Sequence, residues 1–275
     1  MASLLALLSA ALWGSSDFEG GRISKRYPAI SVLGATQLIS LVFGFGLILA
    51  IGETNLTSKI FFAGAAAGLF GYLGLICLYA GLSTGKMGVV SPISSLSVLI
   101  PMSVALIGGE TMSTFTAIGC ALAIIGGFLT SGPEFSTGIS MKPLLLAVGA
   151  AFGFGTALTF MAIGAEEAPI LTMVCMRIAT AFVTIAIAIN KRGFGGLGKQ
   201  NLPSLIFIGI ADFGANAALG LAVNIGPVAV SMVLGALYPV FTVVLAYFIL
   251  HERLHKAQYI GGAAAVIGVA LISAF

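Results

Sequence analysis

Residues 238–267 read YPVFTVVLAYFILHERLHKAQYIGGAAAVI. An apolar run ends in the charged knot His251-Glu252-Arg253-Leu254-His255-Lys256 and then resumes as glycine and alanine. A water-soluble chain has no reason for this pattern, but two membrane-crossing helices joined by a short surface loop require it. The composition agrees. Of 275 residues, 59% are hydrophobic and 8% charged, against about 25% charged in a soluble domain. With a mean hydropathy of +1.14, polar side chains are too few to cover a soluble globule. The chain therefore reads as an all-α polytopic membrane protein.

A spanning helix takes about 20 mostly apolar residues. Runs of that kind predict ten transmembrane helices, over roughly residues 2–20, 29–51, 60–83, 87–108, 113–131, 142–163, 169–190, 202–224, 227–250 and 257–275. The N-terminal MASLLALLSAALWG lacks the positive start of a signal peptide and runs on to Asp17 and Glu19, so it reads as the first span. Cys77, Cys120 and Cys175 fall inside apolar runs and read as packing residues. The connections are short, which leaves no room for an appended soluble domain.

Ten spans make the loops alternate sides. One side holds Arg22, Lys25, Arg26, Lys86, Lys142, Lys191, Arg192, Lys199, Arg253 and Lys256; the other holds Lys59, and Arg177 lies within a span. Basic loops stay in the cytoplasm, so both termini are expected outside a cell membrane.

The knot has an echo. Glu252 precedes Gly261 by nine residues and Gly268 follows seven later; Glu110, Gly119 and Gly126 repeat those spacings. Ile118/Ile260, Ala121/Ala263, Ala123/Ala265, Ile125/Ile267 and Leu129/Leu271 match at the same offset, and Pro28 and Pro169 each open a second helix. The chain thus reads as one five-helix unit used twice, over 1–132 and 142–275. Five is odd, so the second copy enters the membrane the other way, giving two inverted five-helix repeats with a site between them.

ALWGSSDF (11–18), PILTMVCMR (169–177) and YPVFTVVLAYFILHERLHKAQYIGGAAAVIGVAL (238–271) resemble the drug/metabolite transporter superfamily, specifically its EamA-type members. The resemblance covers the whole chain. It implies ten helices in two five-helix copies and export or exchange of small metabolites or drugs. The two copies differ here at Gln37 against Arg177 and at Ser97 against Pro239.

Ionisable groups inside a membrane are costly and mark function by default. Asp212 sits mid-span with Asn216 one turn on, and its counterpart in the first copy is Gly71. It reads either as a proton carrier or as a structural partner of Arg177, which lies about 12 Å from the same membrane face against about 18 Å for Asp212. Trp13 and Asp17 share one face of the first span, with Asp17 a candidate for the substrate path. Glu19 reads as an interfacial partner of Arg22, Lys25 and Arg26. Tyr72, Tyr79, Phe213 and Tyr238 suit a pocket for an amphipathic ligand, or ordinary packing. Ser94, with Ser91, Ser95, Ser97, Pro92 and Pro101, makes the fourth span polar and breakable, and Pro227 and Pro239 do the same for the ninth. Gly64/Gly68 and Gly149/Gly153 have the spacing that lets helices approach closely. Glu110 and Glu252 each precede a helix, where a carboxylate complements the dipole.

Two motifs carry no weight. GFGGLGK (193–199) is followed by Gln200, so the hydroxyl ligand of a phosphate-binding loop is missing. His251 and His255 lack a third nearby ligand beyond Glu252. The expectation is a secondary transporter of a small organic solute, an exporter by alternating access with protons as possible coupling ions. Substrate binding is expected at Trp13, Asp17, Tyr72, Tyr79, Ser94, Asp212, Asn216 and Tyr238. The other readings are a facilitative exchanger or uniporter, a channel or a receptor, and a membrane-embedded enzyme, which the lack of histidine within the spans disfavours. The partners are the lipid bilayer and the solute, with no nucleic acid, no cofactor and no metal, and a monomer is expected.

Overall fold

The computed structural model describes residues 1–84, 87–133, 141–191, 196–251 and 253–274, with side chains except those of 79, 82–84, 87–89, 190 and 191. Helix occupies each expected span. The helices are α1 (Ala2–Ser24), α2 (Ala29–Ile51), α3 (Ser58–Thr84), α4 (Met87–Ser95), α5 (Leu99–Ile107), α6 (Thr114–Thr130), α7 (Met141–Ala165), α8 (Pro169–Lys191), α9 (Leu202–Ile225), α10 (Val228–Gly235), α11 (Tyr238–Leu250) and α12 (Lys256–Ala274). Among the described residues, eight stretches are long and apolar enough to cross a membrane; α6 is shorter, and α1 carries Asp17, Glu19 and Arg22.

The fourth and ninth spans are both broken. A 3₁₀ turn over Leu96–Val98 separates α4 from α5, and Ala236-Leu237 separates α10 from α11. The two breaks fall in matching places of the two copies. Ser94 Oγ donates to Ser91 O at 2.9 Å and Ser95 Oγ to Pro92 O at 2.7 Å, so these serines satisfy backbone carbonyls around the proline within their own helix.

Helix ends follow local chemistry. Ser113 caps α6 by accepting from Thr116 N at 3.1 Å. Gly52, in the left-handed conformation at φ 72°, closes α2. Glu110 corrects an expectation. Its carboxylate caps α10, in the other half of the chain, accepting from Val228 N at 2.9 Å and Ala229 N at 3.0 Å. The dipole argument holds, but Ser113 already serves the helix that Glu110 precedes in sequence. Glu252 lies outside the described residues.

The principal contacts come in pairs. α1 packs on α9 as α3 packs on α7; α2 packs on α9 as α3 packs on α8; α1 meets α10 and α11 as α7 meets α4 and α5. α2 lies against α8, and α6 against α12. Both of these last pairs run antiparallel: Gln37 meets Arg177 while Gly44 meets Val174, and Gly119 faces Gly268 while Gly126 faces Gly261. A Cβ on Gly126 would stand 2.5 Å from Ala265 N, and one on Gly261 would stand 2.6 Å from Thr130 N. The repeated glycine spacing is therefore the seam between α6 and α12. Gly64 and Gly68 admit α8 against α3, and Gly153 admits Gly74 of α3 against α7.

Of the eight candidate spans, α8 and α9 are the most buried and α12 the least. The outer faces carry Leu49, Phe62, Phe152, Phe182, Phe248 and Val266, all exposed, as an apolar solvent demands.

Candidate functional site

Four helices converge on Asp212. From α8, Arg177 Nη2 approaches Asp212 Oδ2 at 2.7 Å. From α1, Trp13 Nε1 donates to Oδ1 at 3.1 Å. From α2, Gln37 Nε2 reaches Oδ2 at 3.5 Å. Asn216, one turn along α9, donates to the Asp212 carbonyl at 2.8 Å and reaches Oδ1 at 3.4 Å. The Arg177 side chain is 3% exposed and that of Asp212 is 22% exposed. The pair is thus sealed on the arginine side and accessible on the carboxylate side.

Gln37 completes the network. Its Oε1 accepts from Arg177 Nη1 at 2.8 Å and from Thr180 Oγ1 at 3.1 Å. Sequence reading noted Gln37 as the first-copy counterpart of Arg177 but did not place it in a site, and it missed Thr180. Arg177 Nε is buried and has no hydrogen-bond partner among the described residues.

Asp17 lies one turn past Trp13 on α1. Its side chain is exposed, yet it is within electrostatic range of Asp212 on α9 and Tyr238 on α11. It therefore lines an opening into the bundle. The Tyr238 ring packs edge-on against Trp13, with centroids 6.3 Å apart. Gly14 sets this junction, since a Cβ there would stand 2.5 Å from Phe241 Cβ and 2.7 Å from Tyr238 O. Thr242 Oγ1 donates to Gly14 O at 3.1 Å.

The other candidates sit apart. Tyr72 is buried in the bundle with its hydroxyl 3.3 Å from Thr184 Oγ1, one turn beyond Thr180. Ser94 is buried and bonded within its own helix. Phe213 is fully buried against Phe43, with centroids 5.6 Å apart, and belongs to the core. The Tyr79 side chain lies outside the described residues. Glu19 pairs with Arg22 at 2.8 Å, as an interfacial residue should.

A crevice of about 400 Å³ opens between α1, α9 and α11, lined by Ser15, Phe18, Glu19, Pro203, Ser204, Phe207, Leu245 and Ile249. Those α1 residues lie on the face turned away from Trp13 and Asp17. The crevice is lateral and mostly apolar, and it does not contain the polar network.

One end of the molecule is tied across its elements. Lys59 Nζ lies 2.7 Å from Glu166 Oε2 and 3.7 Å from Glu167 Oε1. Thr57 Oγ1 donates to Glu167 at 2.7 Å, and Asn224 Nδ2 donates to Ala165 O at 2.8 Å and Glu166 O at 3.0 Å. The Glu110 cap on α10 stands at this same end.

The description "EamA-like transporter family" matches residues 1–132 and again 141–274. The chain belongs to the EamA-like transporter family. It is accordingly a multi-pass membrane transporter of small solutes, with the family unit present twice. A solved structure titled only "Crystal structure of protein" is similar in fold, with a TM-score of 0.82 over 99% of this chain and 96% of that one at 19% identity. A comparison with the curated proteins finds no match.

Proposed function

We propose that this EamA-family chain is a secondary transporter exporting a small organic metabolite or drug across the cell membrane by alternating access. The observation that carries the reading is the Asp212 network, in which polar groups from α1 and α2 of one copy close on α8 and α9 of the other. A site at the seam between two copies is where a rocking transporter binds its solute. The antiparallel packing of α2 on α8 and α6 on α12 supports opposite insertion of the copies, because matched helices run parallel in a direct repeat. Ten crossings with cytoplasmic basic loops and both termini outside follow from that reading.

The breaks between α4 and α5 and between α10 and α11 supply paired bending points. The ties among Lys59, Glu166, Glu167 and Asn224 close the outer end, while Asp17 is reachable from the inner one, so this conformation is inward-facing. Trp13, Asp17, Asp212, Asn216 and Tyr238 form the substrate region. Arg177 and Gln37 hold Asp212 in place. The Arg177–Asp212 ion pair supports the structural role for Asp212 over proton carriage.

Purified protein in liposomes preloaded with candidate solutes tests this. Saturable uptake driven by counterflow of the unlabelled solute is the expected result. Flux that rises linearly without saturation would make the protein a channel and overturn the reading. Asp212→Asn should leave any proton dependence of transport unchanged, and loss of that dependence with transport intact would instead make Asp212 the proton carrier.

A further inference from the structure

The polar network accounts for Asp212 and leaves one acid unexplained. Among the described residues, Asp17 accepts no hydrogen bond and has no ion pair, although Trp13, one turn away on the same helix face, donates to Asp212. An ionisable side chain within a spanning helix is a functional candidate by default. Arg22, the nearest cation on α1, is engaged by Glu19. Arg177 is engaged by Asp212 and Gln37. At formal charges, Asp17, Asp212 and Arg177 leave the region with one excess negative charge.

The surroundings specify what would balance it. Trp13 and Tyr238 meet edge to face at 6.3 Å, each partly exposed, from two helices locked together at Gly14. An indole and a phenol beside a free carboxylate make a receptor for a cation with apolar substituents, which gains both the charge and the ring faces. A sugar or a simple anion gains neither. Asp17 is also exposed, so a solute entering from the basic-loop end meets it before the deeper Asp212.

We infer that Asp17, Trp13 and Tyr238 form a subsite for an organic ammonium ion, which makes the transported solute, or its recognised end, cationic. This rests on the transporter reading above and adds the substrate class to it. Asp17 supplies the counter-charge, the two rings bind the methylene or methyl groups around the nitrogen, and Asp212 stays bound to Arg177 throughout.

The test uses the full-length protein in detergent and three probes of similar size: benzyltrimethylammonium, benzyl alcohol and phenylacetate. Thermal unfolding reads binding, because a ligand of the folded state raises the midpoint in a saturable way. The expected result is a saturable rise with the ammonium alone. Asp17→Asn should weaken that binding about tenfold or more, and Asp17→Glu should restore most of it. Tyr238→Leu should weaken it several-fold, which keeps the inference testable if Asp17→Asn fails to fold. Equal shifts by all three probes, no shift by the ammonium, or full binding in Asp17→Asn would each overturn it. Counterflow of an uncharged or anionic solute with no ammonium binding would leave the transporter reading standing and sink this one.

Discussion

At the scale of single residues, the Arg177–Asp212 pair shows why a buried ion pair is costly to break and cheap to replace. Taking either charge out of water is expensive, and 2.7 Å contact with good hydrogen bonds recovers the cost only while both partners remain. Arg177→Met should therefore lower stability by about 3 kcal/mol, measured by denaturant unfolding in detergent. The double change Arg177→Met with Asp212→Leu should cost less than the single one, since it leaves no orphan charge. Equal or larger loss in the double variant would mean that the pair itself is worth more than its desolvation. The pairing was legible in sequence from the depths of two charges on neighbouring helices. Gln37 and Thr180 were not, because uncharged polar residues in a span look the same whether they serve a site or a helix seam.

At the scale of elements, the α6–α12 seam turns a sequence echo into steric fact. Gly261 and Gly262 are neighbours on α12, but only Gly261 faces α6. A Cβ there would meet Thr130 N at 2.6 Å and Gly126 O at 2.8 Å, whereas a Cβ on Gly262 meets nothing within 4 Å. Gly261→Ala should destabilise by about 1–3 kcal/mol through overpacking. Gly262→Ala should be neutral or stabilise by about 0.5–1 kcal/mol, because alanine loses less freedom in a helix. Midpoints of thermal unfolding separate the two, and similar values for both would refute the seam. The Glu110 cap marks what spacing does not reveal. A carboxylate before a helix announces a capping role, but which helix it caps depends on how the two halves meet.

At the scale of the whole molecule, the ties at one end and the exposed Asp17 toward the other predict a directional pattern of access. In a background with Cys77, Cys120 and Cys175 changed to alanine, Gly20→Cys should react with a hydrophilic thiol reagent. Its Cβ meets nothing within 4 Å, and it lies on the Trp13–Asp17 face. Ser231→Cys, 1% exposed on α10 below the tied end, should not react. In liposomes of known orientation the Gly20 label should enter only from the side of the basic loops. Strong labelling at Ser231 instead would mean that the tied end opens in the resting protein. The sequence by itself determined the membrane class, the ten apolar stretches and the duplication. Hydropathy over about 20 residues and recurring glycine spacing are local properties that survive without coordinates. Only the tertiary structure decided that Gln37 joins Arg177 and Asp212, that Glu110 reaches α10, and that Asp17 stands without a partner among the described residues. Each depends on which face of one helix meets which face of another, and in spans so uniformly apolar the sequence pattern says little about which way a face turns.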